Sequence, residues 1–261
     1  MSGRVFLMYH ELELPERPLC QNEPGYVRYI VHIANFRGQM QFIKDSGMRG
    51  MSVSEALRQN ATAGPVITFD DGCETDLIAA APFLSNLGFN ATFYVTVGFL
   101  ERRGYLTRPA LRSLSDQGFE IGSHSLTHPY LTDLPHDKLE QEMIKSKEEL
   151  EHIIGRPVFH FSCPGGRWNG RVADAAQRAG YQSVATSRAA ANSPLASSFA
   201  LGRVAIMRDT NLATFARQSK GHGLWKLRVN NSLRSSVRQV LGNTAYDRIR
   251  AGILTSKRHK R

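Results

Sequence analysis

Asp70 and Asp71 stand side by side at the end of "VITFDDG", directly after four residues with the character of a buried strand. Fifty residues on, "GSHSLTHPY" carries His124 and His128, four apart, a spacing that one helical turn would bring to one side before Pro129 ends it. Two histidines and a carboxylate are a ligand set for a divalent cation that leaves positions open for water and substrate. If one aspartate completes that set, its neighbour points elsewhere and is free to take a proton from an attacking water. Taken singly, an aspartate at a strand end is ordinarily a helix N-cap or a turn former. The argument for chemistry is that four apolar runs end this way: "VFLMYH" in His10, "VITFDD" in the doublet, "EIGSH" in His124 and "VFHFSCP" in Cys163-Pro164.

Parallel α/β folds open the C-terminal ends of their strands onto one face, so residues far apart in the chain converge there. Strand-like runs alternate with helical ones along most of the chain. Several helical stretches end at a glycine (Gly47, Gly88, Gly118, Gly155, Gly180), the residue a left-handed C-cap prefers. The alternation predicts parallel strands with crossover helices, either an open doubly wound sheet or a barrel. With about seven strands countable, a distorted, incomplete (β/α) barrel is the expected form. Residues 11–34 and 188–200 read as loops.

"TFDDG" together with "SHSLTHP" resembles the first two motifs of the NodB-type polysaccharide deacetylases, metal-dependent hydrolases that remove N-acetyl groups from amino sugars in glycans. The resemblance covers about residues 4–215. It implies the distorted barrel, Asp70 as general base, and Asp71, His124 and His128 as ligands of a divalent metal, most simply Zn2+. It also implies an N-acetylated carbohydrate as substrate. "FSCPGGRW" departs from the family's third motif: Ser162 stands where an arginine usually pairs with the base, leaving Arg167 or Arg203 to supply that charge. Gly165 falls where a backbone N–H meets the developing oxyanion, and Trp168 is a candidate to stack on a sugar ring. No Leu-x-His motif follows residue 200. "LMYHELE" resembles the opening of the exopolysaccharide deacetylases of poly-N-acetylglucosamine type, which makes His10 the expected general acid. A glycan-binding protein without catalysis, suggested by the missing arginine, and a hydrolase of small C–N substrates are the competing readings.

The chain of 261 residues is 41% hydrophobic, enough for a substantial core. Three cysteines without a CxxC pair indicate neither a disulfide framework nor a cysteine zinc site, and favour a reducing compartment. The net charge of +10 is concentrated after residue 216, where twelve Lys/Arg face the single acid Asp247. Residues 1–219 are expected to form the catalytic barrel and 220–261 a basic extension. No nucleic-acid-binding signature accompanies the basic run, so its expected contact is an anionic membrane surface. With no signal-peptide core or membrane span at the amino terminus, the expected location is cytoplasmic, peripheral to the inner membrane face.

Overall fold

The computed structural model describes residues 3–58, 63–225 and 227–229. Its strands are β1 (Arg4–Tyr9), β2 (Leu12–Glu13), β3 (Val31–His32), β4 (Val66–Phe69), β5 (Thr92–Val95), β6 (Glu120–Ser123), β7 (His160–Ser162), β8 (Ser183–Ala185), β9 (Ala191–Asn192) and β10 (Val204–Ala205). Seven of them form one curled parallel sheet in the order β10-β1-β4-β5-β6-β7-β8. This is the distorted α/β barrel that the alternation predicts. Residues 201–206 bring its two edges together: the Leu201 N–H donates to Val184 O (2.9 Å) on one side, and the Ile206 N–H to Met8 O (3.0 Å) on the other.

Helices α1 (Pro24–Val27), α2 (Ile33–Asp45), α3 (Val53–Leu57), α4 (Ala81–Leu87), α5 (Arg108–Asp116), α6 (His136–Ile154), α7 (Gly170–Arg178) and α8 (Leu212–Ser219) accompany the sheet. All five helix-ending glycines have positive φ, as C-caps require. Alternation along the strands sorts side chains by face. In β4, Ile67 and Phe69 join the large core cluster with Tyr9, Phe36 and Phe93. Val66 joins a smaller cluster with Phe6, Met51, Tyr94, Ala185 and Leu201. Thr68 and Asp70, at the same parity as Val66, therefore turn into the barrel.

Two expected loops contain strands. Within residues 11–34, β2 and β3 pair in parallel, and within 188–200, β9 lies antiparallel to β1. Runs of two residues are too short to show a period in sequence. Past α8, Leu224 joins the core cluster and Leu227 packs against it. Residues 230–261, which carry most of the basic extension, lie outside the described residues. Among the described residues no helix is long and apolar enough to cross a membrane.

Candidate metal centre and its buried ion pair

His10 follows β1, the aspartate doublet follows β4, His124 follows β6 and Cys163 follows β7. Tyr9 pairs with Phe69 in register, and the Asp70 N–H donates to Tyr9 O at 3.0 Å, so His10 and Asp70 leave neighbouring strands together. The strand ends gather as their shared pattern predicts.

Asp71 Oδ1 lies 3.5 Å from His124 Nε2 and 3.4 Å from His128 Nε2. Ligand atoms about 2.0–2.1 Å from a tetrahedral ion sit roughly 3.3 Å apart, close to these separations. The donor chemistry fits a cation as well. His124 Nδ1 lies 2.8 Å from Ser162 O, and a carbonyl only accepts, so Nδ1 carries the proton and Nε2 presents a lone pair. Burial holds His124 down to about 4, neutral at physiological pH. Two lone-pair-bearing atoms, His124 Nε2 and Asp71 Oδ1, thus face each other at a distance that a positive centre between them would stabilise. Burial penalises the Asp71 carboxylate, but the hydrogen bond and charge of His128 outweigh it and hold the group low. Burial likewise opposes a charged His128, and the bond to Asp71 overrides it upward. A divalent cation would take the place of that shared proton.

The spacing of four between the histidines does not come from a helical turn. Residues 124–128 form a loop in which Ser125 (φ 71°) and His128 (φ 67°) are both left-handed, as is Asp71 (φ 81°). Three non-glycine residues in that region in or beside one site are strain that the surroundings must hold in place. Glu142, nearly buried on α6, accepts the Leu126 N–H (2.9 Å), the Thr127 N–H (2.8 Å) and the Thr127 hydroxyl (2.5 Å). The Ser125 hydroxyl accepts the His128 N–H at 2.9 Å. Glu142→Gln replaces one acceptor oxygen by a donor facing this loop. It should weaken metal affinity roughly 10- to 100-fold, as changes to groups that orient ligands do, with the far-ultraviolet circular dichroism unchanged. A chelator-competition titration of the variant checks it.

Asp70 borders this set, its Oδ2 3.9 Å from His124 Nε2, but its hydrogen bonds go to other partners. Arg203, completely buried, grips it with Nη1 on Oδ1 and Nη2 on Oδ2, each at 2.7 Å. The guanidinium also donates to Thr68 Oγ1 (3.1 Å), Ser162 Oγ (2.8 Å) and Thr186 O (3.0 Å), and the Ser162 hydroxyl donates to Asp70 Oδ2 at 3.2 Å. Burial alone would raise the Asp70 carboxyl; the charge of Arg203 reverses this and keeps it below the usual carboxylate range. Of the two arginines left open by the sequence, Arg203 meets the aspartate. Arg167 instead lies over the Tyr130 ring, 3.8 Å from its centroid.

The other predicted residues border the site differently. His10 packs against Tyr29 with ring centroids 4.9 Å apart and planes tilted by 36°, and its Nδ1 is buried without a hydrogen-bond partner among the described residues. Gly165 is left-handed (φ 60°) in a tight turn closed by Gly166 N–H to Cys163 O and Arg167 N–H to Pro164 O, so the turn's bonds do not use its own N–H. Trp168 is partly exposed and donates from Nε1 to Phe199 O at 2.8 Å. Glu142, Phe99 (5.4 Å from the His128 ring) and Tyr29 are absent from the residues singled out in sequence. Glu142 alone carries a signal there, as an acid inside the apolar stripe of Leu139, Met143 and Leu150.

The same chain is similar to known proteins over this region. Against YxkH of Bacillus subtilis it is 28% identical over 177 residues, covering 66% of this chain and 63% of that protein. Against the peptidoglycan-N-acetylglucosamine deacetylase of Bacillus cereus it is 35% identical over 120 residues, covering 45% and 54%. The chain thus spans less than two thirds of the length of these curated relatives. The structure of the Streptococcus pyogenes deacetylase PplD in complex with acetate superposes with a TM-score of 0.73 at 23% identity, over 84% of this chain and 99% of that one, which shows the shared fold. The family model described as polysaccharide deacetylase matches residues 61–184, the stretch holding the aspartate doublet, both loop histidines and the Gly165 turn.

Proposed function

We propose that the protein is a metal-dependent hydrolase that removes N-acetyl groups from an amino-sugar glycan. The observation that carries this reading is the juxtaposition of two differently tuned aspartates: Asp71 against paired imidazoles, Asp70 against a buried guanidinium, on adjacent residues. Asp71, His124 and His128 would hold the divalent ion, zinc being the simplest. When bound, such an ion supplies Lewis acidity for the acetyl carbonyl and for the attacking water.

The chain's own residues supply the rest. Asp70, kept ionised by Arg203, accepts the proton that the attacking water loses. The Gly165 N–H donates to the carbonyl oxygen as it becomes negative, a contribution of about 3 kcal/mol in comparable sites. His10, whose Nδ1 is buried without a partner among the described residues, protonates the departing amine. Arg203 replaces the charge missing from position 162, which removes the reason for reading the protein as a binder without catalysis.

The segment "LMYHELE" and the relative named for N-acetylglucosamine favour a poly-N-acetylglucosamine-type polymer as substrate. Incubation with chitin oligomers should release acetate, fall to background on chelation and recover with added zinc. Tight metal binding with no acetate release from any N-acetylated sugar would overturn the reading.

A further inference from the structure

Cys20 and Cys73 come from segments 53 residues apart in the chain, yet their Sγ atoms lie 3.8 Å from one another. Cys73 is buried at the turn that follows the aspartate doublet, and Cys20 is half-buried, the more exposed of the two. Both sulfurs are held. The Cys20 thiol donates to Gly104 O (3.0 Å), and the Tyr26 hydroxyl lies 3.4 Å from Cys73 Sγ. Arg17 fixes the segment before Cys20 through Glu11 (2.6 Å), Glu74 (2.5 Å) and Gly104 O (2.9 Å). A carboxylate oxygen of Glu11 lies within 4.8 Å of both sulfurs, a grouping that also suits a metal. That carboxylate, however, already accepts Arg17 and the Cys20 N–H, and the guanidinium opposes a second cation.

We propose that Cys20 and Cys73 are a redox pair that a hydroperoxide converts to an intramolecular disulfide, fastening the segment around Cys20 to the turn after Asp71. The sulfurs must close from 3.8 Å to about 2.05 Å for the bond to form. In the first step the peroxide O–O bond breaks, a Cys20 S–O bond forms, and the leaving oxygen takes the Cys20 thiol proton to give water or an alcohol as that sulfur is oxidised to a sulfenic acid. In the second, Cys73 Sγ attacks Cys20 Sγ; the S–S bond forms, the S–O bond breaks, and hydroxide leaves as water with the Cys73 proton.

The test uses the full chain, reduced, freed of reductant, treated with a small molar excess of hydrogen peroxide, then denatured and alkylated. Two of the three thiols should be lost, with a mass decrease of two hydrogens and full reversal by dithiothreitol. A digest should yield one peptide joined through Cys20 and Cys73. Cys163→Ser should form the same link, and Cys20→Ser should not. Three alkylatable thiols after peroxide, a sulfinate at Cys20 with Cys73 still free, links only between chains, or thiols that react only after a chelator is added would each overturn the pair. These readouts are independent of catalysis, so an inactive deacetylase assay leaves them standing.

Discussion

Arg203→Met lowers the unfolding free energy by about 3–5 kcal/mol, the range found when one member of a buried ion pair is removed. The Asp70 carboxylate would then be buried with its main counter-charge gone, and the five donated bonds of the guanidinium, to Asp70, Thr68, Ser162 and Thr186, would vanish together. Urea denaturation of the two proteins measures the difference. A variant as stable as the parent would show that the pair contributes nothing. Adding Asp70→Asn to Arg203→Met should recover part of the loss, because the double variant buries no unpaired charge, and the non-additivity measures the coupling.

The pH dependence should differ in sign. In the parent, Asp70 is held below its ordinary range, so its contribution is present above about pH 4 and fades as acid protonates the folded state. In Arg203→Met, burial prevails and raises the group, so the folded state binds the proton more readily than the unfolded chain. The deficit of the variant should therefore narrow as the pH is lowered from neutrality.

This pair was only half legible in the sequence. Asp70 stands out because it ends an apolar run beside a second acid. Arg203 lies 133 residues away, and short-range pattern gives no reason to choose it over Arg167, which sits nearer the departed motif. What selects Arg203 is closure of the barrel: residues 201–206 join the sheet's two edges, and this turns the guanidinium inward. The histidine spacing was legible as a ligand pattern but not as a conformation. Four residues of helix and four residues of loop both bring imidazoles together. The choice between them depends on Glu142, reaching from a helix that begins at His136. The parallel strands and their glycine-capped helices could be read because each extends over enough residues to show a period. β2, β3 and β9 could not, since their pairing depends on partners rather than on their own sequence.

Asp70→Asn and His124→Ala should separate two losses that a simple activity assay would merge. The amide at position 70 leaves Asp71, His124 and His128 intact, so one equivalent of metal should stay with the folded protein. Acetate release should fall by a factor of roughly 10²–10⁴, the usual contribution of a positioned base. His124→Ala removes a ligand and should abolish both metal retention and turnover. The Asp70 change also leaves Arg203 facing a neutral amide, so its stability must be measured alongside; the asparagine oxygen still accepts one of the guanidinium bonds, and the folded fraction should remain large enough to assay. Metal content per folded protein, by elemental analysis after gel filtration, is the deciding measurement. Loss of metal from Asp70→Asn would place that carboxylate among the ligands, and near-normal turnover would remove it from the proton transfer. Either result would reassign the doublet, because the division of labour rests on Asp70 facing Arg203 at 2.7 Å while Asp71 faces the imidazoles at 3.4 and 3.5 Å.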